Sequence, residues 1–524
     1  MIAIVNLLSF LALLSYTVAK CRREVHMLQQ NSYFISRYWK WWNDNRIKAI
    51  SRTDVLGLIC AVFLFLNIAG PYLPFLFALI YGSGAYLIWT RKEKKALVYT
   101  PRARRLLGVM VLVYLLKFGF LLGFMEEIFW FLVPFLSLFS FLIAMFSAWI
   151  LTPVENSINQ GFIDDARKKL KGMPGLKVIG ITGSYGKTSV KHFLARILAE
   201  KYNVLHTPGS VNTTLGVVRI IREQLKPTHE VFIAEMGAKK TGDVKELCEL
   251  VEPDIAILTA IGPEHLDTFG DMKNVQKGNF ELPESLNKGG FAIMNADYEL
   301  VKEYDKQNTA LIWYGLRDSS SMYSARNIQY TPVGMTFDLI HQGNVLIQLE
   351  TKLLGEHNVS NIVAACAAAI ELGVEPGKIA FAVRNLQSVQ HRLEVKRFAN
   401  GLTVIDDAFN SNPMGAAMAV DVLGKISGNK KIIVTPGMIE LGELEFEANK
   451  TFGTQIAAVC DFTILVGPKQ TLPIQEGLKE AGYPENKLFI AKNLTEAIAK
   501  VNEIAGSGDV VLYENDLPDT YDEV

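Results

Sequence analysis

The sequence has few cysteines, no excess of charge of either sign, and long stretches without any charged residue. Its 524 residues include five cysteines and no Cys-x-x-Cys pair, which argues against a disulfide framework and a cysteine zinc site. The 53 Lys and Arg residues equal the 53 Asp and Glu residues, so composition does not indicate a polyanion binder, and we expect no nucleic-acid partner. Half of the residues are hydrophobic and only 20% are charged, which indicates concentrated apolar segments.

These uncharged stretches lie at the N-terminus. A membrane-spanning helix needs about 20 apolar residues, and a turn at Gly70-Pro71 would divide the longest stretch, residues 55–89, into two short helices. Basic residues are concentrated in the loops 20–54 and 91–105, which the positive-inside rule places in the cytoplasm. The pattern predicts a multi-pass protein of the cell membrane, with membrane lipids as partners and the following domains in the cytoplasm. The five predicted spans are residues 2–19, 55–71, 72–89, 106–124 and 128–151.

Two features near the N-terminus bear on this prediction. Residues 2–19 have an alternative interpretation as a cleaved signal peptide, which the absence of Lys or Arg before the apolar run disfavours. The segment 38–42 mixes aromatic and basic residues, a mixture typical of an anchor at the membrane interface.

From about residue 176 onwards, short β-rich runs alternate with segments of helical spacing. Examples of the β-rich runs are residues 176–181, 231–236 and 255–261. Such alternation predicts a parallel sheet covered by helices on both faces. A second series of the same kind begins near Glu394, and we place a domain boundary near residue 385.

A segment of small and polar residues links the first strand of this series to a helix. It reads Thr182-Gly183-Ser184-Tyr185-Gly186-Lys187-Thr188-Ser189. In such a loop, backbone N–H groups at a helix N-terminus surround a polyphosphate, Lys187 meets the β- and γ-phosphates, and Thr188 offers a hydroxyl to Mg²⁺. The strict pattern has glycine where this chain has Ile181, and the alternative is a tight turn with a capping threonine. The strand–turn–helix context favours nucleotide binding.

Two further residues stand at strand ends. Glu235 ends the run 231–235, at the place where an acidic residue holds Mg²⁺ beside a phosphate loop. His265 follows the run 255–261, at the carboxyl end of a predicted parallel strand, where such sheets bind ligands. Taken alone, an acid at a strand end is ordinary and a single histidine is more often structural. The phosphate loop that precedes them in the sequence favours a ligand-binding role for both residues.

With these residues in place, the sequence resembles the Mur ligase family, ATP-dependent enzymes that join amino acids or peptides to a carboxylate. Several segments are closest in sequence to the UDP-N-acetylmuramoyl-tripeptide–D-alanyl-D-alanine ligase branch. The resemblance covers about residues 175–470. After the membrane α-helical region predicted from the apolar runs in 1–151, it implies a phosphate-loop parallel-sheet ATPase domain in 152–385 and a Rossmann-like α/β domain in 386–524. The further matching segments are 234–238, 242–244, 261–270, 277–278, 295–297, 355–361, 406–413 and 437–442.

The resemblance implies roles for residues at matching positions. Lys187, His265 and Lys277 would be catalytic. Thr188 and Glu235 would hold a first Mg²⁺, and His265 a second. Lys277 matches a lysine that is carbamylated, which turns a cation into an anionic ligand of the second Mg²⁺; the alternative is a solvated helix lysine. The implied cofactors are therefore ATP, two Mg²⁺ ions and carbamylated Lys277. Beyond the phosphate loop, the implied ATP contacts are Asn361, Arg392 and Asp407.

The implied reaction activates a carboxylate with the γ-phosphate of ATP to give an acyl phosphate, which an amine then attacks. The implied partners are an amino-acid or dipeptide amine donor and a carboxylate acceptor, a lipid-linked or UDP-linked muropeptide of peptidoglycan-type precursor synthesis. Closure of the C-terminal domain would bring Arg392 and Asp407 onto the nucleotide and exclude water from the acyl phosphate.

The sequence departs from the family pattern in three places, and two alternative functions follow. The usual soluble ligase begins with a domain that binds the UDP end of its substrate, whereas this chain has the predicted membrane spans in that place. Residues 209–216 match the acceptor loop of the branch only partly. Residues 514–519 lack the basic segment that is expected there. One alternative is a membrane polyglutamate-type synthase. The other is a non-enzymatic ATP-binding membrane scaffold, which would have no need for the second-metal residues His265 and Lys277.

Overall fold

The structure is a computed structural model, and it forms two compact units, Met1–Gly161 and Phe162–Val524. Several sequence predictions fall wholly or partly outside the residues that it describes: the Gly70-Pro71 turn, residues 66–72, 128–131 and 133–136 of the predicted spans, residues 92–95 of the second basic loop, Phe409-Asn410 of one matching segment, and residues 517–519. The described residues are 2–46, 50–65, 73–91, 96–124, 132, 137–305, 309–331, 334–408 and 411–516.

The first unit is helical and has a partly polar interior. Lys20 Nζ lies 2.6 Å from Asp54 Oδ2 and donates to the Ser137 carbonyl, with both charged side chains buried. Tyr16 and Tyr81 pack with ring centroids 5.3 Å apart and are almost fully buried. The helices are α1 (Ile2–Gln30), α2 (Ile35–Asp44), α3 (Arg52–Phe65), α4 (Leu73–Thr90), α5 (Pro101–Phe124) and α6 (Ser140–Lys171), the last of which runs into the second unit.

The prediction of a multi-pass protein of the cell membrane is wrong. Within the described ranges, one helix, α6, is long and apolar enough to cross a membrane, whereas several passes need several such helices. Part of the apolar runs supplies a core between helices, in which Tyr16, Phe77 and Tyr81 are buried against one another. Membrane lipids therefore lose their support as predicted partners.

The second unit begins with a mixed sheet whose strands lie in the order β2-β3-β1-β4-β5-β6-β7-β8-β9. Neighbours are parallel as far as β7, as the alternating pattern predicts, and antiparallel from β7 to β9. The strands are β1 (Lys177–Thr182), β2 (Val204–His206), β3 (Val231–Glu235), β4 (Ile255–Leu258), β5 (Phe291–Asn295), β6 (Ala310–Gly315), β7 (Tyr323–Thr331), β8 (Gly334–His341) and β9 (Asn344–Thr351).

Helices cover this sheet, and one of them is rich in alanine. The alanines of α13 are fully buried, and their small side chains let this helix pack closely against α7, which follows the phosphate loop. The helices are α7 (Lys187–Leu198), α8 (Thr214–Gln224), α9 (Asp243–Val251), α10 (Leu266–Phe269), α11 (Met272–Glu284), α12 (Glu299–Lys302), α13 (Glu356–Glu371) and α14 (Pro376–Arg384).

A second sheet has the strand order β10-β11-β15-β12-β13-β14, parallel except for the β10 edge. Because β15 pairs with both β11 and β12, the chain's last described strand ends beside the carboxyl ends of two strands more than 70 residues earlier. The strands are β10 (Glu394–Arg397), β11 (Thr403–Asp407), β12 (Lys431–Thr435), β13 (Phe462–Val466), β14 (Leu488–Ala491) and β15 (Val510–Glu514). The helices are α15 (Pro413–Lys425), α16 (Glu445–Val459), α17 (Leu472–Glu480) and α18 (Leu494–Ile504).

Candidate active site

The loop between β1 and α7 requires two of its glycines. Gly183 and Gly186 have φ angles of 135° and 81°, which disfavour side chains. A Cβ on Gly183 would collide with the Thr259 side chain, and one on Gly186 would lie 2.5 Å from Asn361 Oδ1. The loop therefore lies directly against Thr259 and Asn361, and the second of these is the asparagine predicted to contact ATP.

Hydrogen bonds attach this loop to the segment that follows β4. Ser184 N donates to the Ala260 carbonyl (2.8 Å), and the Ser184 hydroxyl donates to the Gly262 carbonyl (2.9 Å). The Tyr185 hydroxyl donates to the Pro263 carbonyl at 3.2 Å. The loop shape is thus fixed by the protein itself, which leaves it preorganised for a ligand.

The side chain of Lys187 folds back over the loop. Its Nζ donates to the carbonyls of Gly183 and Ser184, the latter at 3.3 Å, and lies 3.4 Å from Glu264 Oε2. The ammonium group is therefore held above the glycine loop, where the sequence predicts a polyphosphate. Glu264 was not predicted as a site residue.

A buried ion pair joins α7 to the end of β3. Lys191 Nζ lies 2.7 Å from Glu235 Oε2, and the two side chains are 0% and 1% exposed. Lys191 also donates to the Gly209 carbonyl, and Asn212 Nδ2 donates to Glu235 Oε1 at 3.2 Å. The predicted Mg²⁺ ligand Glu235 is thus held by a lysine that the sequence analysis missed. The available signal was its position one helical turn after Lys187, on the same face.

The positive charge of Arg392 acts on the pKa of both Lys191 and Asp407. Burial lowers the pKa of Lys191, Glu235 opposes this effect, and the positive charge of Arg392 adds to it. Burial raises the pKa of Asp407 to about 6, against the lowering effect of Arg392. Asp407 Oδ1 also accepts a hydrogen bond from Leu393 N at 3.1 Å. The two residues predicted from the C-terminal domain therefore interact electrostatically, and Arg392 also acts on Lys191.

His265 lies between two carboxylates. Its Nδ1 is 2.6 Å from Glu440 Oε2, and its Nε2 is 3.7 Å from Glu264 Oε1. Within the part of the chain that the structure describes, no group of three or more His, Cys, Asp or Glu side chains is arranged to hold a metal ion. The role of His265 in a second metal site stays a prediction.

Lys277 lies apart from these contacts. Its side chain is exposed on α11, whereas Asn279 on the same helix is buried and accepts a hydrogen bond from Thr182 Oγ1 at 3.0 Å. Asn279 was not predicted. The structure thus connects α11 to the phosphate loop through Asn279, and carbamylation of Lys277 stays a prediction.

The residues present fit a nucleotide and one Mg²⁺. The glycine loop precedes α7, whose N-terminal N–H groups and partial positive charge suit phosphate. Thr188 and Glu235 offer oxygen donors, the ligands that Mg²⁺ prefers. Both side chains are buried, which distinguishes them from solvated polar groups on the surface.

A second cluster lies at the carboxyl ends of β11, β12 and β15. Glu514 is 1% exposed and accepts hydrogen bonds from the hydroxyls of Ser411 and Thr435, the latter at 3.1 Å. Burial raises the pKa of Glu514 to about 8. The next residue, Asn515, donates to the Gly437 carbonyl at 2.6 Å. Glu514 and Asn515, the first two residues of the segment that lacks basic residues, are thus held at the end of the second sheet.

The raised pKa of Glu514 predicts a pH dependence of stability. Folding raises this pKa from 4.5 to about 8, so between these values the folded chain holds a proton that the unfolded chain has lost. The free energy of unfolding is therefore expected to fall as pH rises from about 5 to about 8. Glu514→Gln, neutral at every pH, should flatten this slope in thermal unfolding midpoints measured at several pH values. An unchanged slope in the variant would show that other groups cause it.

The glycine loop, its lysine and the parallel sheet define a phosphate-loop, nucleotide-binding α/β enzyme. Comparison with protein families narrows this class. The family model described as the Mur ligase middle domain matches residues 181–369, and the one described as the Mur ligase glutamate ligase domain matches residues 391–513. The chain belongs to the Mur ligase family, whose members are ATP-dependent ligases that form amide bonds. The resemblance stated from the sequence is thereby confirmed.

Curated relatives and solved structures point to one branch of the family. The chain is 28% identical over 341 residues to the UDP-N-acetylmuramoyl-tripeptide–D-alanyl-D-alanine ligase of Bacillus subtilis, covering 65% of this chain and 73% of the relative. It is 33% identical over 291 residues to the enzyme of that name from Haemophilus influenzae, covering 54% and 62%. A crystal structure of MurF from Acinetobacter baumannii is 26% identical with a TM-score of 0.62, covering 68% and 77%. The chain thus spans between about three fifths and three quarters of the length of these two curated relatives.

Proposed function

We propose that this chain joins an amino-acid or dipeptide amine to the carboxylate of a muropeptide, through an acyl phosphate, in the synthesis of peptidoglycan precursors. One observation carries the proposal: Lys187 is folded over a preorganised glycine loop, with Glu235 at the end of the neighbouring strand β3. The names of the relatives supply the substrate class, a UDP-linked muramoyl peptide and a D-alanyl-D-alanine amine donor.

The residues of the loop would neutralise and orient the phosphates. ATP supplies the γ-phosphoryl group when bound, and Mg²⁺ offsets the negative charge that gathers there. Thr188 and Glu235 would hold one Mg²⁺, while Lys187 and the loop N–H groups bind phosphate oxygens. Lys191 fixes the Glu235 carboxylate through a buried ion pair, so that ligand is positioned before any substrate arrives.

The proposed reaction has two steps. A carboxylate oxygen of the acceptor attacks the γ-phosphorus, and ADP leaves. The amine nitrogen then attacks the activated carbonyl carbon, the C–O bond to phosphate breaks, and the nitrogen loses a proton. Positive charge from Lys187 favours the first step, because a carboxylate must approach a triphosphate of the same sign.

ADP release tests this function. We expect ADP release over many turnovers only when an acceptor and an amine are both present, with UDP-muramoyl-tripeptide and D-alanyl-D-alanine as the first pair and L-glutamate as the competing donor. The product mass separates one addition from the polymer that a polyglutamate-type synthase would make. If the rate of ADP release is the same with and without every acceptor and donor, the result would instead favour an ATP-binding scaffold.

We also propose that Lys277 is carbamylated and acts as an anionic ligand near the second metal position. Lys277→Ala is then expected to lose ligation, with partial recovery in added acetate, whereas Lys273→Ala on the same helix should be unaffected. Both lysines are exposed on α11, which makes Lys273 a matched control. A carbamate signal in ¹³C NMR after equilibration with ¹³CO₂ checks the modification directly. Full activity of Lys277→Ala without acetate would refute the role.

A further inference from the structure

The segment that joins the two sheets of the second unit has a strained backbone. It leads from α14 into β10 and contains Arg392, one of the two residues predicted from the C-terminal domain to contact ATP. His391 and Leu393, on either side of Arg392, have φ angles of 58° and 47°. Residues other than glycine rarely adopt such angles, and they persist where surrounding contacts stabilise them, often at functional sites.

A turn sets the conformation of the first of these residues. Arg392 N donates to the Val389 carbonyl at 3.0 Å, which closes a four-residue turn with His391 in the third position. A positive φ in that position is usually supplied by glycine or asparagine. Histidine brings to the turn an imidazole ring that glycine would lack.

The imidazole contacts a fixed carboxylate. His391 Nδ1 lies 2.9 Å from both carboxylate oxygens of Asp406, near the end of β11. Lys396 Nζ donates to Asp406 Oδ2 at 2.7 Å, and Ala408 N donates to Asp406 Oδ1 at 3.3 Å. Because Lys396 and Ala408 hold this carboxylate in place, it can fix the ring of His391.

The residue after Arg392 is held by the neighbouring carboxylate. Leu393 N donates to Asp407 Oδ1 at 3.1 Å, and the Leu393 side chain is buried in the core of the C-terminal domain. Asp406 thus fixes the residue before Arg392, and Asp407 fixes the residue after it. The charge of Arg392 acts on Lys191 of α7, the helix that follows the phosphate loop.

We infer that His391 is a positioning residue, whose contact with Asp406 holds the turn that directs Arg392 towards the phosphates of ATP. The inference rests on the proposed ligation, because Arg392 is proposed as an ATP contact. An arginine on a backbone that is fixed before ATP arrives loses less conformational freedom on binding, which favours affinity. His391 needs no contact with ATP, since its effect on binding passes through Arg392.

A double-variant cycle with the full chain tests this inference. The probe is the non-hydrolysable ATP analogue AMP-PNP with Mg²⁺, and calorimetric titration measures its affinity. We expect His391→Gly, which permits the positive φ but removes the ring, to weaken binding about tenfold, the size of one hydrogen bond to a charged group. Arg392→Gln should weaken binding at least as much. In the Arg392→Gln background, His391→Gly should have no further effect, because the residue through which it acts is already absent.

Two conservative variants separate the contact from a general loss of structure. Asparagine tolerates a positive φ and carries an N–H donor at the position of His391 Nδ1, so His391→Asn should retain the affinity within about twofold. The donor of His391→Gln lies one bond further out, at the position of Nε2, so this variant should lose affinity severalfold. This contrast tests the contact even if His391→Gly does not fold.

His229→Ala is the matched control for loss of an imidazole. His229 is also half-buried, and its Nδ1 accepts a hydrogen bond from Lys226 N in another turn of the same unit. This variant should bind AMP-PNP as the unaltered chain does.

The outcomes separate this inference from the proposed function. If the unaltered chain binds AMP-PNP and forms amide, but His391→Gly and His391→Gln bind the analogue normally, the positioning role is refuted and the ligation stands. If His391→Gly weakens binding equally with and without the Arg392 side chain, or if His391→Asn loses as much affinity as His391→Gly, the inference is also overturned. Failure of the unaltered chain to bind AMP-PNP would overturn both.

Discussion

Lys187→Ala is expected to reduce the rate of product formation about a hundredfold to a thousandfold, the usual effect of removing one preorganised electrostatic contact. The reason is local: the Lys187 ammonium is held over the glycine loop by the carbonyls of Gly183 and Ser184. Without it, the carboxylate and the γ-phosphate repel each other with one counter-charge fewer. The measurement is amide product by mass spectrometry, with ADP affinity recorded in parallel.

A folded variant is essential to this prediction. The ion pair of Lys187 with Glu264 is partly exposed, so its loss should leave the thermal unfolding midpoint nearly unchanged. Lys226→Ala, which removes an exposed lysine elsewhere in the same unit, should retain full activity. Normal product formation by a folded Lys187→Ala protein would exclude the assignment of this loop to ATP.

Lys191→Met is expected to lower the free energy of unfolding of the second unit by about 3–5 kcal/mol, because it leaves the Glu235 carboxylate buried without its cation. Both side chains are at most 1% exposed, so water cannot replace the missing partner. Denaturant unfolding measures this loss. The same variant should also lose ligation, since the carboxylate is no longer fixed beside the loop.

The double variant Lys191→Met/Glu235→Gln distinguishes a broken pair from a damaged core. Removing both charges abolishes the uncompensated charge, so the double variant should recover much of the stability while remaining inactive. If the double variant is no more stable than Lys191→Met alone, the loss comes from packing and not from charge.

The parts of the site that local sequence determines were predicted. The strand–glycine loop–helix pattern lies within a dozen residues, and the conformations of Gly183 and Gly186 follow from it directly. The alternation of strands and helices likewise predicted the parallel part of both sheets, because each unit is a short segment with its own period. Family membership then rested on many such segments occurring in the right order.

The contacts between distant segments could not be predicted. Lys191 and Glu235 are 44 residues apart, and His265 and Glu440 are 175 residues apart. Which strand ends face each other depends on the strand order, and β15 reaches its place between β11 and β12 only in the folded sheet. The pKa of Glu514 depends on that placement.

The error about the N-terminal region has a related cause. A run of uncharged residues shows that side chains avoid water, but it does not show whether lipid or other helices cover them. Here the residues Tyr16, Phe77 and Tyr81 bury one another, and Lys20 forms a buried ion pair with Asp54 in the same helical unit.

Oxygen-isotope transfer tests whether the chain activates a carboxylate as an acyl phosphate. The acceptor carboxylate is labelled with ¹⁸O and incubated with the full chain, ATP, Mg²⁺ and the amine donor. Because the C–O bond to phosphate breaks when the amine attacks, each inorganic phosphate released should carry one ¹⁸O atom from the acceptor. Phosphate released together with amide product but without ¹⁸O would show that the reaction does not pass through an acyl phosphate.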